Sequence, residues 1–452
     1  FKVFFVTKYQ GKYYRLKNKH MFFKMKLMEV NIRLKRLIFH VDVNSAYLSW
    51  EAAYRCYHLG ATIDLRDGLY AVGGDTALRH GIILAKSIKA GAFGVATGES
   101  IFEAKQKCPD LRLVPPNYTL YERCSEAFIK ILKNYTPLVE QYSIDEAFMD
   151  VSGIIFEQSP EALAFEIKER IKNELGFTVN VGIGDNKLLA KMAGDFEKPD
   201  KVHTLYQHEI KYKMWPLPVE KLFFVGGSMK KKLGQLGIRT IGALGQTDQE
   251  ILMSHLKKRG ILLWQFANGI DDSEVISEVP PNKGYGNSTT LPFDVTDALM
   301  LSKVFLSLSE NIGRRLRKDG VLAGALSITI KNSDFFKTQH QMTLESPTDI
   351  TKKIYQYTVQ LMGKTWNGLP VRHAAIHAGK IVKDSGQRQY TLFGQEDHEK
   401  MRHADRMVDI IRKRYGKDAV KRAVFINQPL DHIAGGISKE KQIVDYSRVY
   451  IL

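Results

Sequence analysis

Residues 142–147, Tyr-Ser-Ile-Asp-Glu-Ala, constrain this chain most, because they set two adjacent acids between two strand-like segments of a β-hairpin. Side chains alternate between the faces of a strand. Asp145 and Glu146 can therefore converge only where the strand bends, and they would repel there without a cation. A second acidic strand end, at Asp42, lies about a hundred residues earlier. Three carboxylates on strand ends are oxygen ligands of the kind Mg²⁺ prefers, with phosphate oxygens completing the shell. The pattern indicates phosphoryl transfer.

The overall composition indicates a globular protein of two to four domains with a polyanionic partner. The chain has 452 residues, 44% of them hydrophobic, and a net charge of +17. Such a charge favours nucleic acid as the partner. No apolar run reaches the roughly 18 residues that span a bilayer, so we expect neither a membrane-spanning segment nor a membrane partner. Three cysteines outside any paired motif are expected to be reduced thiols of a cytoplasmic, nucleoid-associated protein.

The first 36 residues form a basic N-terminal extension without clear periodicity. Residues 1–38 hold eight Lys and three Arg against one Glu, which supplies +10 of the net charge. We expect this extension to be an artefact of an early start site, with Met25 or Met28 as the true beginning. A genuine basic arm is the alternative.

The strand that ends at Asp42 leads directly into a helix. Asn44 and Ser45 are good helix caps, and the helix begins at Ala46. A carboxylate just before a helix N-terminus can hold a metal while the helix N–H groups face a triphosphate. A structural strand–helix turn is the alternative.

Composition and periodicity divide the rest of the chain. Residues 52–110 are rich in Gly and indicate a small inserted subdomain, and residues 111–205 return to alternating strands and helices. Residues 206–275 are helical. The stretch 276–284, with Pro280-Pro281, is a linker by composition. Residues 385–452 form a tail, and the whole is an α+β multidomain protein.

The helical region contains Val225-Gly226-Gly227 between two short helices. Such a hairpin can offer backbone N–H groups to a DNA phosphate without reading sequence. A simple helix-connecting turn is the alternative.

Residues 285–384 predict a βαββαβ unit, with a four-stranded sheet covered by helices on one face. Apolar residues recur with helical spacing from Leu301 to Ile312, and the segment Leu326–Lys331 alternates as a strand. The uncovered face, which carries Ser327, Thr329, Lys331, His373 and His377, is expected to be polar and to lie along DNA; a merely solvated face is the alternative. The candidate DNA contacts are Lys331 on this face and Arg314 and Arg315 at the end of the first helix.

Three motifs in order resemble the Y-family translesion DNA polymerases, the UmuC/DinB group. They are His-Val-Asp42-Val-Asn-Ser-Ala-Tyr47, Tyr142-Ser-Ile-Asp145-Glu146 and Asn186-Lys187-(x)₃-Lys191-(x)₆-Lys198-Pro199. The Asp-Val-Asn form looks more like the UmuC-like branch of Gram-positive bacteria, plasmids or phages than like DinB proper.

The resemblance implies a right-hand polymerase. Its ferredoxin-like palm would span 37–51 and 111–205, with fingers at 52–110, a helix–hairpin–helix thumb at 206–275 and a little finger at 285–384. Asp42, Asp145 and Glu146 match the catalytic ligands of two Mg²⁺ ions, and the carbonyl of Val43 is a further ligand. Tyr47 matches the steric gate that excludes a ribose 2′-hydroxyl. Lys198 matches a lysine that binds the triphosphate.

The fingers depart from the family pattern. The family usually carries Tyr and Arg on the triphosphate, and those positions here are Ile88 and Gly91. Lys86, Ser87 and Lys89 lie nearby as replacements, and the departure bears on nucleotide affinity or rate because an Arg clamp on a transferring phosphate matters.

The tail contains Gln389-Tyr-Thr-Leu392-Phe393, which resembles the peptide that binds the bacterial sliding clamp (β subunit). Gln389, Leu392 and Phe393 would be the latch and the anchors. Farther on, apolar residues at helical spacing form one face of a helix that would pack on the core or engage a partner. They are Met401, Ala404, Val408, Ile411 and Tyr415.

These features predict a low-fidelity DNA polymerase for translesion synthesis, acting on primer–template DNA and dNTPs. An accessory mutasome subunit is a further expected partner. One alternative is a clamp- and DNA-bound accessory protein with a weakened polymerase site. A nucleotidyl cyclase, which shares two-metal chemistry, is the other.

Overall fold

The computed structural model describes residues 6–9, 12–15, 36–74, 81–152, 158–386, 395–427 and 430–433. Its strands are β1 (Val6–Tyr9), β2 (Lys12–Arg15), β3 (Ile38–Val43), β4 (Tyr70–Gly73), β5 (Ile83–Lys86), β6 (Arg112–Val114), β7 (Val139–Gln141), β8 (Glu146–Asp150), β9 (Val179–Gly184), β10 (Val202–Leu205), β11 (Tyr285–Val295), β12 (Val321–Asn332), β13 (Lys337–Thr348) and β14 (Val371–Lys383). Its helices are α1 (Ala46–Leu59), α2 (Ile88–Ala92), α3 (Ile101–Lys107), α4 (Tyr118–Lys133), α5 (Pro160–Leu175), α6 (Lys187–Gly194), α7 (Ile210–Lys213), α8 (Gly227–Gln235), α9 (Ile241–Gln246), α10 (Gln249–Leu256), α11 (Lys258–Ala267), α12 (Ala298–Lys318), α13 (Thr351–Thr365) and α14 (Gln395–Tyr415). None of these helices is both long enough and apolar enough to span a membrane.

The chain forms two compact units, Phe1–Asp64 with Tyr121–Val279, and Leu65–Leu120 with Pro280–Leu452. The first unit is built on a five-stranded sheet in the order β10-β9-β3-β8-β7. Its central strand β3 runs antiparallel to both β8 and β9. The order of β9, β3, β8 and β7, together with the intervening helices, is that of a ferredoxin-like fold, as predicted. A separate hairpin joins β1 and β2.

The short helices of the first unit surround a core of their own. The aliphatic side chains of α6 pack into this core, which fastens the helical region to the sheet. Its most buried members include Leu189, Leu233, Ile241, Leu252 and Leu263. One apolar side of each helix is buried because apolar residues recur three or four positions apart within it, as Ile241 and Leu244 do in α9 and Leu252 and Leu256 do in α10.

The second unit contains the predicted small subdomain, built on the three-stranded sheet β5-β4-β6. Its boundaries differ from those predicted. Helix α1 belongs to the first unit and continues unbroken past residue 51, because its buried side goes on through Ala52 and Ala53. Residues 112–114, predicted as palm, pair with β4 as the strand β6 instead.

The second unit also contains the predicted βαββαβ domain, with all six elements in order. Its sheet has the order β11-β14-β12-β13, and α12 and α13 pack against it. The core is formed by the apolar residues of the predicted helical and strand stripes: Leu301, Val304, Phe305, Leu308, Ile312, Leu326, Ile328, Ile330, Ala374 and Ile376. The opposite face is less open than predicted, since Ser327 is buried.

The C-terminal helix α14 docks on this domain with its charged side. Arg402 binds Asp349 and Asp384, Arg317 binds Asp405 and Asp409, and Arg412 binds Glu310. The predicted apolar stripe is largely exposed, and Tyr415 is 67% exposed. The helix therefore packs on the core, but not through the face that its sequence pattern suggests.

Candidate active site

The fold brings the three predicted acids to one end of the central sheet. Asp42 on β3 and Glu146 on β8 are direct cross-strand partners. The backbone N–H of Val43 donates to the carbonyl of Asp145, at 2.9 Å. The turn that carries Asp145 is fixed from behind, because the Ser125 hydroxyl donates to the Ile144 carbonyl. Pairing of the two strands thus places the three acids at the same end of the sheet.

The pKa of Asp145 is shifted by its burial and by the two acids near it. Burial raises the pKa of Asp145, and the negative charges of Asp42 and Glu146 raise it further. The Ser143 hydroxyl donates to Asp145 at 2.6 Å and opposes this rise. Carboxylates that disfavour one another's ionisation are stabilised by a cation placed among them.

Glu146 is held by two basic side chains. Burial alone would raise its pKa, but hydrogen bonds from His40 and Lys191 outweigh burial and lower the pKa to about 2. His40 is fully buried, and its Nε2 lies 2.9 Å from Glu146 Oε2. The Lys191 amine also lies 5.3 Å from the centroid of the Phe223 ring. Glu146 is therefore ionised near neutral pH and is held by both basic side chains.

Asp42 pairs with Lys198, the predicted triphosphate lysine. Lys198 also contacts Asp195, at 2.8 Å. Burial would lower the pKa of Lys198, but the charges of Asp42 and Asp195 raise it above its ordinary value. Lys198 is thus fully protonated and held beside the acids, with a second carboxylate available to it.

The donor set fits divalent cations in chemistry. Asp42, Asp145, Glu146 and the carbonyl of Val43 supply only oxygen ligands, which suit Mg²⁺. Within the described ranges, no three His, Cys, Asp or Glu side chains are already gathered around a common point. Lys198 contacts Oδ2 of Asp42 and Lys191 contacts Oε2 of Glu146, so each lysine engages one oxygen of its carboxylate.

Tyr47, the predicted steric gate, rests on a second aromatic ring. The rings of Tyr47 and Tyr121 stack with centroids 4.5 Å apart and planes 10° apart. The Tyr121 hydroxyl donates to Glu51 at 3.1 Å, and Glu51 accepts from Arg55 at 3.2 Å. Glu51 is 0% exposed. Helix α1 thus contributes both Tyr47 and the buried acid that fixes the ring stacked on it.

The start of α1 differs from a simple capped helix. Ser45 has φ 47° and makes no side-chain cap. The Asn44 amide is used within the sheet, since it donates to Asn180 and accepts from Thr178. The Asn44 backbone N–H donates to the Thr178 carbonyl as well. Asn44 therefore positions the turn, and Ser45 and Ala46 remain the candidates for direct phosphate contact.

Comparison with known proteins identifies the family. Models of the impB/mucB/samB family and of its C-terminal domain match residues 41–195 and 282–392. The chain is 42% identical over 395 residues to DNA polymerase IV of Clostridium acetobutylicum, covering 87% of this chain and 99% of that protein. It is 35% identical to DNA polymerase IV 1 of Bacillus subtilis, covering 87% of this chain and 94% of that protein. The chain belongs to the Y family of DNA polymerases, the UmuC/DinB group.

The fold of a solved structure agrees. A Y-family DNA polymerase chimera of Dbh and Dpo4 superposes with a TM-score of 0.66 at 20% identity, covering 77% of this chain and 99% of the chimera. The family predicted from the three motifs is confirmed, and so is the multidomain α+β fold. The relatives named above come from Gram-positive bacteria, as the resemblance implied.

In the fingers of this Y-family chain, Lys86 lies over the glycine that replaces the expected Arg. A Cβ atom on Gly91 would lie 3.2 Å from Lys86 Cε and 3.8 Å from its amine. The Ser87 hydroxyl caps α2 by accepting from the Ala90 N–H, and Ser87 is buried. Lys86 therefore offers a cationic group near Gly91, whereas the Ser87 hydroxyl is engaged in capping α2.

The thumb hairpin borders a cleft of about 420 Å³. Gly226 precedes α8 and Gly227 begins it, and neither would meet another atom within 4 Å if a Cβ were added. Val225 is buried and anchors the turn. The sequence reasoning missed the opposite wall, where Lys257 and Arg259 add positive charge. The only sequence signal for it is the basic run 257–259.

The little-finger candidates do not share one face. Arg315 donates to the Gly286 carbonyl at 2.8 Å and lies over the Tyr285 ring, so it fastens α12 to β11. Arg314 also belongs to α12, which packs on the helix-covered face. Lys331 alternates with the core residues Ile328 and Ile330 of β12 and projects from the other face. Only Lys331 therefore lies on the predicted DNA face.

The clamp-binding candidates Gln389, Leu392 and Phe393 lie outside the described residues. The residues that sequence reasoning did not assign are chiefly supports. His40 and Lys191 hold Glu146, Tyr121 stacks on Tyr47, and Glu51 accepts from the Tyr121 hydroxyl. Lys191 was visible as part of a family motif, whereas nothing local in the sequence connects Tyr121 with Tyr47.

Proposed function

We propose that this protein is a template-directed DNA polymerase of low fidelity that synthesises DNA past damaged template positions. It adds dNTPs to a primer 3′ end by phosphoryl transfer. The observation that carries the proposal is the convergence of Asp42, Asp145 and Glu146 at the sheet end that also bears Tyr47 and Lys198. Family membership supports the same reaction.

Two Mg²⁺ ions held by Asp42, Val43, Asp145 and Glu146 would activate the primer hydroxyl and stabilise the pyrophosphate leaving group. The chain itself supplies the positioning. Glu146 stays ionised because His40 and Lys191 hold it. Most of the rate in phosphoryl transfer comes from such positioning and from electrostatic stabilisation.

Four groups are proposed to receive the nucleotide. Lys198 and Lys86 bind the triphosphate, and the helix start at Ser45 and Ala46 offers backbone N–H groups to it. The Tyr47 ring lies beneath the sugar and excludes a ribose 2′-hydroxyl. Stacking on Tyr121 keeps that ring from turning away.

The DNA is proposed to be held through its backbone. Gly226 and Gly227 offer N–H groups to a phosphate, with Lys257 and Arg259 supplying charge. Lys331 contacts the backbone from the open face of the little finger. Gln389, Leu392 and Phe393 bind the sliding clamp of a cytoplasmic, nucleoid-associated replication complex, and an accessory mutasome subunit is a further partner.

The decisive experiment is primer extension with Mg²⁺, comparing the wild type with an Asp145→Asn/Glu146→Gln variant of equal shape. We expect extension by the wild type, at least hundredfold slower extension by the variant, and equal DNA affinity. The Tyr47→Ala variant should extend and should accept rNTPs. Absence of wild-type extension, even with the clamp, would favour an accessory protein, and cyclic nucleotide formed from NTP alone would favour a cyclase.

A further inference from the structure

The hairpin tip between β12 and β13 exposes two adjacent aromatic rings. Phe335 is 61% exposed and Phe336 is 74% exposed. Large apolar side chains displayed side by side at a loop tip do not contribute to a core, and contiguous exposed apolar surface commonly marks a binding site. The proposed polymerase reaction does not use these rings.

The backbone holds the rings outward in a defined conformation. Phe335 has φ 67°, a region that bulky residues rarely adopt. The tip closes through Asn332, whose side-chain oxygen accepts from the Phe336 N–H at 2.8 Å and whose carbonyl accepts from the Phe335 N–H at 3.1 Å. The Asn332 N–H donates to the Phe336 carbonyl at 3.1 Å. A strained residue that its surroundings over-determine suggests a functional constraint.

Positive charge surrounds the tip. The Arg372 guanidinium lies 5.1 Å from the centroid of the Phe335 ring, and the Lys331 amine lies 5.5 Å from it. Lys331 is the direct cross-strand partner of both Lys337 and His373, so these side chains form one row on the open face. Burial lowers the pKa of His373, and the two lysines lower it further. Against these cations the tip carries one acid, Asp334.

We propose that this tip, residues 332–337, binds single-stranded DNA by stacking Phe335 and Phe336 on unpaired bases. Two adjacent rings with cations beside them suit a strand whose bases lie next to its phosphates. Such sites tolerate any sequence, because every base has a π-face. The row of Lys331 and Lys337 leads from the tip onto the open sheet face, which gives the phosphates a continuous path. The proposal rests on the proposed function, since unpaired template is the single strand a polymerase encounters.

The first test measures binding of the full chain to a fluorescent oligodeoxythymidine and to an abasic oligomer of the same length, without Mg²⁺. The variant Phe335→Gly/Phe336→Ala removes both rings and keeps a residue that accepts the positive φ. The control is Leu299→Ala, which truncates another exposed apolar side chain, 64% exposed, in the same unit. We expect the ring variant to bind oligodeoxythymidine more weakly, by about 5- to 150-fold for each base that loses its stacking of about 1–3 kcal/mol. Abasic binding and the control should not change.

The second test locates the contact. A primer–template with 5-iododeoxyuridine in the template overhang is photo-crosslinked to the full chain and digested with trypsin. Cleavage after Lys331 and Lys337 releases residues 332–337, which contain both rings. We expect crosslinks on this peptide from the overhang and none from the duplex.

Two results would overturn the proposal: unchanged oligodeoxythymidine affinity in the ring variant, or an equal loss on the abasic oligomer. The first would assign the rings to a protein partner, and the second would assign the tip to backbone contact. Primer extension by the same preparations separates this question from the proposed function. Extension with unchanged oligomer binding defeats the tip proposal alone, whereas ring-dependent binding without extension defeats only the polymerase.

Discussion

Replacement of Tyr121 tests whether nucleotide selection depends on the ring that supports the proposed gate. Tyr121→Leu keeps an apolar side chain but removes the stack on Tyr47, whose centroids are 4.5 Å apart. An aromatic pair contributes about 0.5–1.5 kcal/mol beyond simple burial. If that energy holds Tyr47 in its excluding orientation, its loss should lower discrimination against rNTPs by about 2- to 12-fold.

Tyr121→Phe is the matched companion. It keeps the stack and removes only the hydroxyl that donates to Glu51. Glu51 is fully buried and would keep Arg55 as a partner. An incompletely satisfied buried acceptor costs about 1–3 kcal/mol. We therefore expect Tyr121→Phe to reduce the free energy of unfolding and to leave discrimination near the wild-type value.

The assay is single-nucleotide incorporation opposite one template base, with kcat/KM measured for the matching dNTP and rNTP. A double-mutant cycle with Tyr47→Ala isolates the coupling. Tyr121→Leu should change the dNTP/rNTP ratio when Tyr47 is present and should have no further effect when it is absent. The reasoning fails if Tyr121→Leu shifts the ratio equally in both backgrounds, or if the Phe and Leu variants behave alike.

Two further predictions concern the second unit. Glu310→Gln removes the acid that pairs with buried Arg412 and with Arg422, and should lower the free energy of unfolding by about 3–5 kcal/mol, measured by thermal or denaturant melting. Burial would raise the pKa of Glu310, but both arginines lower it, so its stabilising charge is present above its ordinary pKa of 4.5. That contribution is lost as the pH falls below 4.5, and the melting difference between wild type and variant should shrink there; a constant difference would contradict the assignment. Lys86→Met should raise the KM for dNTP without changing DNA affinity, whereas Lys89→Met, at an exposed position on the helix α2 that follows, should not; equal effects would count against Lys86.

Much of the architecture could be predicted because it is encoded locally. Apolar and polar residues alternate in β12 and β14, and α12 carries an apolar stripe. Each pattern specifies a buried face, so the βαββαβ order could be predicted from hydrophobic periodicity alone. The acidic hairpin could likewise be predicted from the sequence, since only a strand bend can bring Asp145 and Glu146 together. In both cases the informative residues lie within one or two elements.

The features that escaped prediction depend on residues far apart in the chain. Helix α14 carries an apolar stripe, yet it docks through ion pairs with Arg317 and Asp349, which its own sequence cannot reveal. Periodicity reports which face is apolar, not which face finds a partner. Burial of Ser327 and the stacking of Tyr121 on Tyr47 have the same origin, because each is set by tertiary neighbours.

The two lysines beside the acids should affect different kinetic constants, because their surroundings differ. Lys198 has Asp195 as a second partner at 2.8 Å, so it can leave Asp42 and still have a carboxylate that balances its positive charge. Lys191 has Glu146 as its ion-pair partner and lies among the rings of Tyr142 and Phe223. We therefore expect Lys198→Met to raise the KM for dNTP mainly, and Lys191→Met to lower kcat mainly, by freeing Glu146 from its fixed position.

Steady-state incorporation on a fixed primer–template measures both constants for both variants. Lys201→Met is the control, because Lys201 is half exposed and its amine lies 3.9 Å from Glu197 at the surface. A shared effect of the two variants on one constant would mean that both lysines simply neutralise the acids. A split between KM and kcat would mean that Asp42 exchanges partners when substrate binds, whereas Glu146 does not.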